Sequence, residues 1–438
     1  MKRKIISILL ALVLMLSFSL VTAVPAMAAI LDVPSVSYPT IQSAVNAAGP
    51  GDTINVAAGT YNENVFIPTG KDGLQIIGHS NADTFITGGI TAFDCFSQVT
   101  INGFDISDCY YGIVIRSTTS SSIISGNNIS NTINEGVFAT GPGTVTGNDI
   151  SACGYGIQTR DNAGGSTISG NTVSNITNEG INAFVPSIIS GNDISGCGWG
   201  IRIQDGAAGS TVSGNIISNT TYEGIWAYGL VTISGNNFSV PYTAIQITGN
   251  AGGSTISGNT IYGVPGYQGI LAFVPLTITG NDISGCGWGI QIRNHSTGTV
   301  IDSNEIHDNT YHGIDIPNYA GETEVTEVTI TNNTFTHNGW TGVRVGGGTD
   351  SSGIAINYNN FIGNGIFGVE SVVAGSEVNA EKNYWGHASG PSGGYGRVNN
   401  KGVIIGKGDA VSDNVDWDPY LPQPVGHTKH DPVPPGLH

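Results

Sequence analysis

Positive charge is scarce in this chain. Of 438 residues, 14 are Lys or Arg against 32 Asp or Glu, a formal balance of −18. That balance argues against a nucleic-acid partner, because a phosphate reader needs a basic face. Charged residues of both signs reach only 11%, too few for a disordered polyelectrolyte. Methionine is limited to Met1, Met15 and Met27, so the body of the chain has no thioether row for soft metals. The first cysteine is Cys95, which leaves no lipid-anchor thiol behind a leader. Only one long apolar run exists, Ile5 to Val21, so nothing beyond it is fit to span a bilayer as a helix. Lys2, Arg3 and Lys4 precede that run and Ala26-Met27-Ala28 follows it, the small-x-small pattern of a signal-peptidase site. Removal of residues 1–28 and a secreted or cell-surface location are therefore expected.

What the chain holds in excess is Gly, 65 residues, and the glycines are periodic. Gly112-Ile113-Val114-Ile115-Arg116 is echoed from Gly156, Gly200, Ala244 and Gly289, at spacings of 44, 44, 44 and 45. A second series, Gly136, Gly180, Gly224, Gly269 and Gly313, interleaves with it. Asn127, Asn148, Asn171, Asn192, Asn215, Asn236, Asn259 and Asn281 mark each half-repeat at intervals of 21 to 23. Strands of four or five residues between Gly, Asn and Ser turns, with no helical period, predict a solenoid with coils of about 22 residues. The Ile and Val positions are its core, and stacked Asn side chains are expected to satisfy backbone groups at the bends.

These repeats resemble those of right-handed parallel β-helix proteins of the pectin lyase-like superfamily. Tyr38 to Ala48, followed by Gly51-Asp52-Thr53-Ile54-Asn55-Val56, is similar to that family's first helix and strand. Ile41, Ala44, Val45 and Ala48 give the helix an apolar stripe to plug the open end of the core. Asn383-Tyr384-Trp385-Gly386 and Asp416-Trp417-Asp418-Pro419-Tyr420 resemble the closing segment of many secreted members. The resemblance implies an all-β, single-stranded right-handed parallel β-helix with an N-terminal capping helix. Expected boundaries are a signal peptide over 1–28, a cap over 29–52, the helix over 53–405, and a closing loop with a flexible tail over 406–438. His427, His430 and His438 in that tail are read as inert.

Cys109, Cys153, Cys197 and Cys286 share one phase of the repeat. Same-phase residues two coils apart lie roughly 9–10 Å apart, beyond the roughly 7 Å Cα separation that a disulfide tolerates. Free thiols packed in the core are expected.

With the Ile after each repeat Gly inward, the second and fourth following residues point outward. The second position includes Phe138, Arg202 and Trp226, and the fourth includes Arg116, Arg160, Phe184, Tyr228, Phe273 and Arg293. A stripe mixing rings with Arg and Gln suits a polysaccharide: ring faces cover sugar C–H faces, and Arg grips a uronate carboxylate in a fork. The competing reading covers the rings with loops and sets the Arg residues against adjacent acids.

Catalytic candidates are sparse. Glu135, Glu179 and Glu223 precede the Gly of alternate coils, and Glu179 and Glu223 flank Trp199 at a separation close to that of an inverting glycosidase pair. Their place at turns predicts solvated side chains. Asp302, Glu305, His307, Asp308, Tyr311, His312 and Asp315 form the densest titratable stretch, from which His312 and Asp315 are singled out as acid–base candidates. Tyr311-His312-Gly313-Ile314-Asp315 is similar to a segment of alginate C5-epimerases, but Pro317 and Asn318 stand where that family's His falls. The paired-Asp segments of polygalacturonases and the calcium cluster of pectate lyases are not found. No cofactor or metal is assigned. The expected protein is a monomer that binds an extracellular polysaccharide, acidic ones included, with cleavage or epimerisation left open; the rival is a non-catalytic adhesive repeat protein.

Overall fold

A computed structural model describes residues 27–116, 121–319, 323, 325–346, 351–373, 377–393 and 406–426. Most of the expected signal peptide and the tail histidines His427, His430 and His438 lie outside the described residues.

The chain winds as a parallel β-helix in which each coil adds one strand to each of three sheets. One coil runs through Ser166–Ser169 in the first sheet, Thr172–Ser174 in the second and Glu179–Ala183 in the third. Among the described residues these sheets hold 17, 14 and 16 strands. The first sheet already begins at Ile30–Val33, paired in register with Thr53–Val56. At the other end, Gly408–Val411 and Val415–Asp416 return to the third and first sheets.

Two devices explain the sequence period. At Gly156 the chain enters a third-sheet strand so close to the next coil that a Cβ would lie 2.3 Å from the Gly180 carbonyl oxygen. The repeat glycine is thus a requirement of close approach. At the bend between first and second sheets, Gly170 turns the chain at φ +61°, and the Asn171 that follows points inward. Asn171 Nδ2 donates to Asn192 Oδ1 at 2.9 Å, and the same bond recurs without a break from Asn127 to Asn383. Each rung also donates to a backbone carbonyl, so polar groups at a dry corner are all paired.

The interior is a stack of aliphatic rows. Ile157, Ile181, Ile201 and Ile225 are aligned in register and fully buried, each stabilising the fold by about 1.5–3 kcal/mol. All five cysteines are free and buried. Helix α1 (Ile41–Ala47) lies over the first coils, with Ile41, Ala44 and Val45 buried. Thr40 and Ser43 form its capping box, and the Glu63 carboxylate accepts from Ile41 N and Gln42 N. Stacked Phe335, Phe361 and Trp385, with ring centroids 5.0 Å apart, fill the core at the other end.

Candidate functional site

The third sheet carries the expected stripe. Its register places Phe138, Gln158, Asn182, Arg202, Trp226, Gln246, Leu271, Gln291, Asp315, Arg344 and Glu370 in one row across successive coils. Three positions earlier runs a second row that contains Glu135, Glu179, Trp199, Gln268, Trp288 and His312.

The glutamates of the second row are not solvated. Glu179, which opens a strand, is 5% exposed, and Glu223, two residues before the Ile225–Gly229 strand, is 7% exposed. Burial in that setting demands a partner. Arg202 Nη1 donates to Glu179 Oε1 at 2.9 Å, and Trp199 Nε1 donates to Glu223 Oε2 at 2.8 Å. The two carboxylates are therefore each tied to a different partner. Glu135 differs: its Oε2 has no partner, and burial raises its pKa above the ordinary carboxylate value.

The arginines divide as well. Arg116 Nε donates to Asp94 Oδ1 at 2.6 Å near the N-terminal end of the face. Arg202 faces the rings of Trp226 and Tyr228 at 4.8 and 5.5 Å while holding Glu179. Arg160 is exposed and lies 4.0 Å from the Phe184 centroid, and Arg293 lies 5.2 Å from that of Phe273. Phe138 stacks on Tyr111 at 6.1 Å.

The dense titratable stretch near residue 310 is dispersed, because one coil turns through all three sheets. Asp302 bonds Thr331 and Asn332 at the end of a first-sheet strand, and His307 bridges Asp282 and Asp308 on the second sheet. Only His312 and Asp315 lie in a third-sheet strand, with Tyr311 just before it. There His312 and Asp315 meet Trp288, Trp340, Arg344 and Glu370 around a groove of about 400 Å³. Asp315 is 3% exposed; its Oδ2 accepts from Gln291 Nε2 at 2.9 Å and its Oδ1 from Arg344 Nη1 at 3.0 Å. Arg344 Nε lies 3.8 Å from Glu370 Oε2. The chain of bonds continues backwards through Gln268 Nε2 to Gln291 Oε1 and Thr243 Oγ1 to Gln268 Oε1, both 3.1 Å. His312 is 5% exposed with Nδ1 unpartnered, and burial lowers its pKa to about 4, so its imidazole is neutral at neutral pH.

A feature absent from the expected stripe is an aromatic rim along one edge of the face. Trp199 stacks on Tyr222 at 4.3 Å, Tyr242 meets Tyr267 at 4.2 Å, Trp288 meets Tyr311 at 4.6 Å, and Tyr311 meets Trp340 at 4.8 Å. Tyr222, Tyr267 and Trp340 are exposed. Its signal in the sequence is a Tyr two residues before the repeat Gly or its Ala244 equivalent, at Tyr222, Tyr242, Tyr267 and Tyr311. Among the described residues no group of three or more His, Cys, Asp or Glu is arranged to hold a metal ion. No helix among them is long and apolar enough to cross a membrane.

Coils, sheets and a ring-lined outer face define a β-helix of the right-handed parallel class. The chain belongs to the family described as "Right handed beta helix region", which matches residues 88–238 and 228–384. Among solved structures it is similar to the catalytic domain of a GH87 alpha-1,3-glucanase in complex with tetrasaccharides, at 13% identity over 80% of this chain and 67% of that one, TM-score 0.49. It is similar to a mannuronic acid specific polysaccharide family 6 lyase from human gut microbiota, at 13% identity over 78% and 86% of the two chains, TM-score 0.42. A third is the mannuronan C-5 epimerase A-module of Azotobacter vinelandii, at 15% identity over 76% and 92%, TM-score 0.35. Comparison with curated proteins gives no match.

Proposed function

We propose that the outer face of the third sheet binds an extended polysaccharide lying along the solenoid axis, and that the chain is exported to meet it. The observation that carries this reading is the aromatic rim from Trp199 to Trp340. Flat rings recurring at multiples of the roughly 4.8 Å coil spacing suit a polymer of rings. Phe184, Trp226, Tyr228 and Phe273 flank the rim on the same face. Amides at Asn182, Gln204, Gln246, Gln268 and Gln291 supply donors and acceptors for hydroxyls. Glycan-array binding by the protein, with Trp340→Ala and Tyr267→Ala beside it, tests the reading. Both variants should fold normally and lose binding, whereas Ile188→Thr, on the first sheet, should not.

One observation favours chemistry in addition to binding: the neutral imidazole of His312 on the groove wall, its buried Nδ1 without a partner. The imidazole stays in the unprotonated form that a general base needs, at the low basicity that burial imposes, while Asp315, its two oxygens already occupied, fixes Gln291 and Arg344. Release of reducing ends or unsaturated products from a bound glycan, lost in His312→Gln, would support this second reading.

A further inference from the structure

A guanidinium recognises a carboxylate through two free N–H edges and an uncompensated charge. Under the rim, from the Glu179–Ala183 strand to the Phe367–Ser371 strand, the charged side chains in the outward rows are Arg202, Arg293 and Arg344 against Glu179, Glu223, Asp315 and Glu370. Arg202 is held by Glu179, and Arg344 is shared between Asp315 and Glu370. Arg293 lies between the rings of Phe273 and Tyr319, at 5.2 and 4.6 Å. From that strand onward the rows thus bear one more carboxylate than guanidinium, and Arg160, one coil before, lies over the Phe184 ring at 4.0 Å at the edge of the stretch, within a protein whose formal balance is −18. A uronate polymer adds a negative charge with every acidic sugar, and a partly buried face screens the resulting repulsion poorly.

The groups not committed to charge point the other way. Trp226 Nε1 is a buried donor without a partner, placed in the row between Arg202 and Gln246. The amides of Gln268 and Gln291 are oriented by their chain of bonds yet keep further donor and acceptor capacity. The His312 imidazole, on the groove wall with its Nδ1 buried, adds a neutral group. Hydroxyls, which donate and accept, match this set; carboxylates, which only accept, do not.

Resting on the polysaccharide reading above, we infer that the glycan taken by this face is uncharged. Arg202 and Arg344 serve to hold the buried carboxylates that position the face. The test is native affinity electrophoresis of the full chain through gels containing a glucan, a mannan or a xylan, or else alginate or polygalacturonate, at low and high salt. The expected result is retardation in at least one uncharged gel, equal at both salt levels, and none in the acidic gels. Salt-sensitive retardation in an acidic gel would overturn the inference while leaving polysaccharide binding intact. Retardation in no gel, with no hit on a glycan array, would overturn the binding reading and this inference together.

Discussion

Trp199 Nε1 donates to Glu223 Oε2 at 2.8 Å across one coil, and the same indole stacks on Tyr222 at 4.3 Å. The bond makes Glu223 the acceptor for an indole of the aromatic rim. Glu223→Ala should cost about 1–2 kcal/mol of stability by leaving the indole N–H without its acceptor. Glu223→Gln, which keeps an acceptor there, should cost less. Thermal melting gives the stability, and a red shift of tryptophan emission in the Ala variant alone would report the freed ring.

Two histidines should shape the pH dependence of stability with opposite signs. Burial lowers the His312 pKa to about 4 from an ordinary 6.5, so the unfolded chain binds more protons between those values and stability falls as pH drops through that window. The His307 pKa is raised to about 9, chiefly by its hydrogen bond to Asp282, so its contribution is complete below pH 6.5 and is lost as pH rises through 9. Melting temperature across pH 4 to 10 should show His312→Gln flattening the acid limb and His307→Gln the alkaline one. A swap of those effects would contradict the assignment.

The Asn ladder should be highly sensitive to a single gap. Asn192 accepts from Asn171 N and Nδ2, and its own Nδ2 donates to the Ile168 carbonyl and to Asn215 Oδ1. Asn192→Ala leaves several buried partners unpaired, at about 1–3 kcal/mol each, and should destabilise by more than about 3 kcal/mol. Asn237→Ala, at an exposed position, should stay within about 0.5 kcal/mol. Urea unfolding of both variants makes the comparison.

Thiol chemistry should report the closed core. Burial pushes the thiol of Cys197 up to about 11 and that of Cys286 to about 12, so neither forms a thiolate near neutrality. Native protein should be inert to a thiol reagent, and denaturation without reductant should release five reactive thiols.

The fold was legible because its determinants recur in phase. Gly156 and its equivalents mark close approach of coils, Asn171 marks a bend, and Ile157 marks the inward row. The site was legible only in part. The register placed Phe138, Arg202 and Trp226 on one face, but the period does not tell whether an arginine reaches solvent, a ring or a carboxylate. Arg202 chose a glutamate 23 residues away in the coil beneath it. The titratable residues from Asp302 to Asp315 misled because neighbours in sequence turn onto different sheets. The rim was missed because Tyr222 and Tyr267 lie two residues before the repeat Gly, whereas the outward pattern was defined on the second and fourth residues after it.

The most direct measurement of the central claim is calorimetric titration of the parent and of Trp340→Ala with the polysaccharide that the array selects. Trp340 is 46% exposed on the rim and outside the inward rows, so its loss should spare the fold. The account predicts an unchanged melting temperature and weaker binding by about 1–2 kcal/mol, from the aromatic area no longer covered by sugar. A folded Trp340→Ala that binds the glycan as tightly as the parent would contradict it.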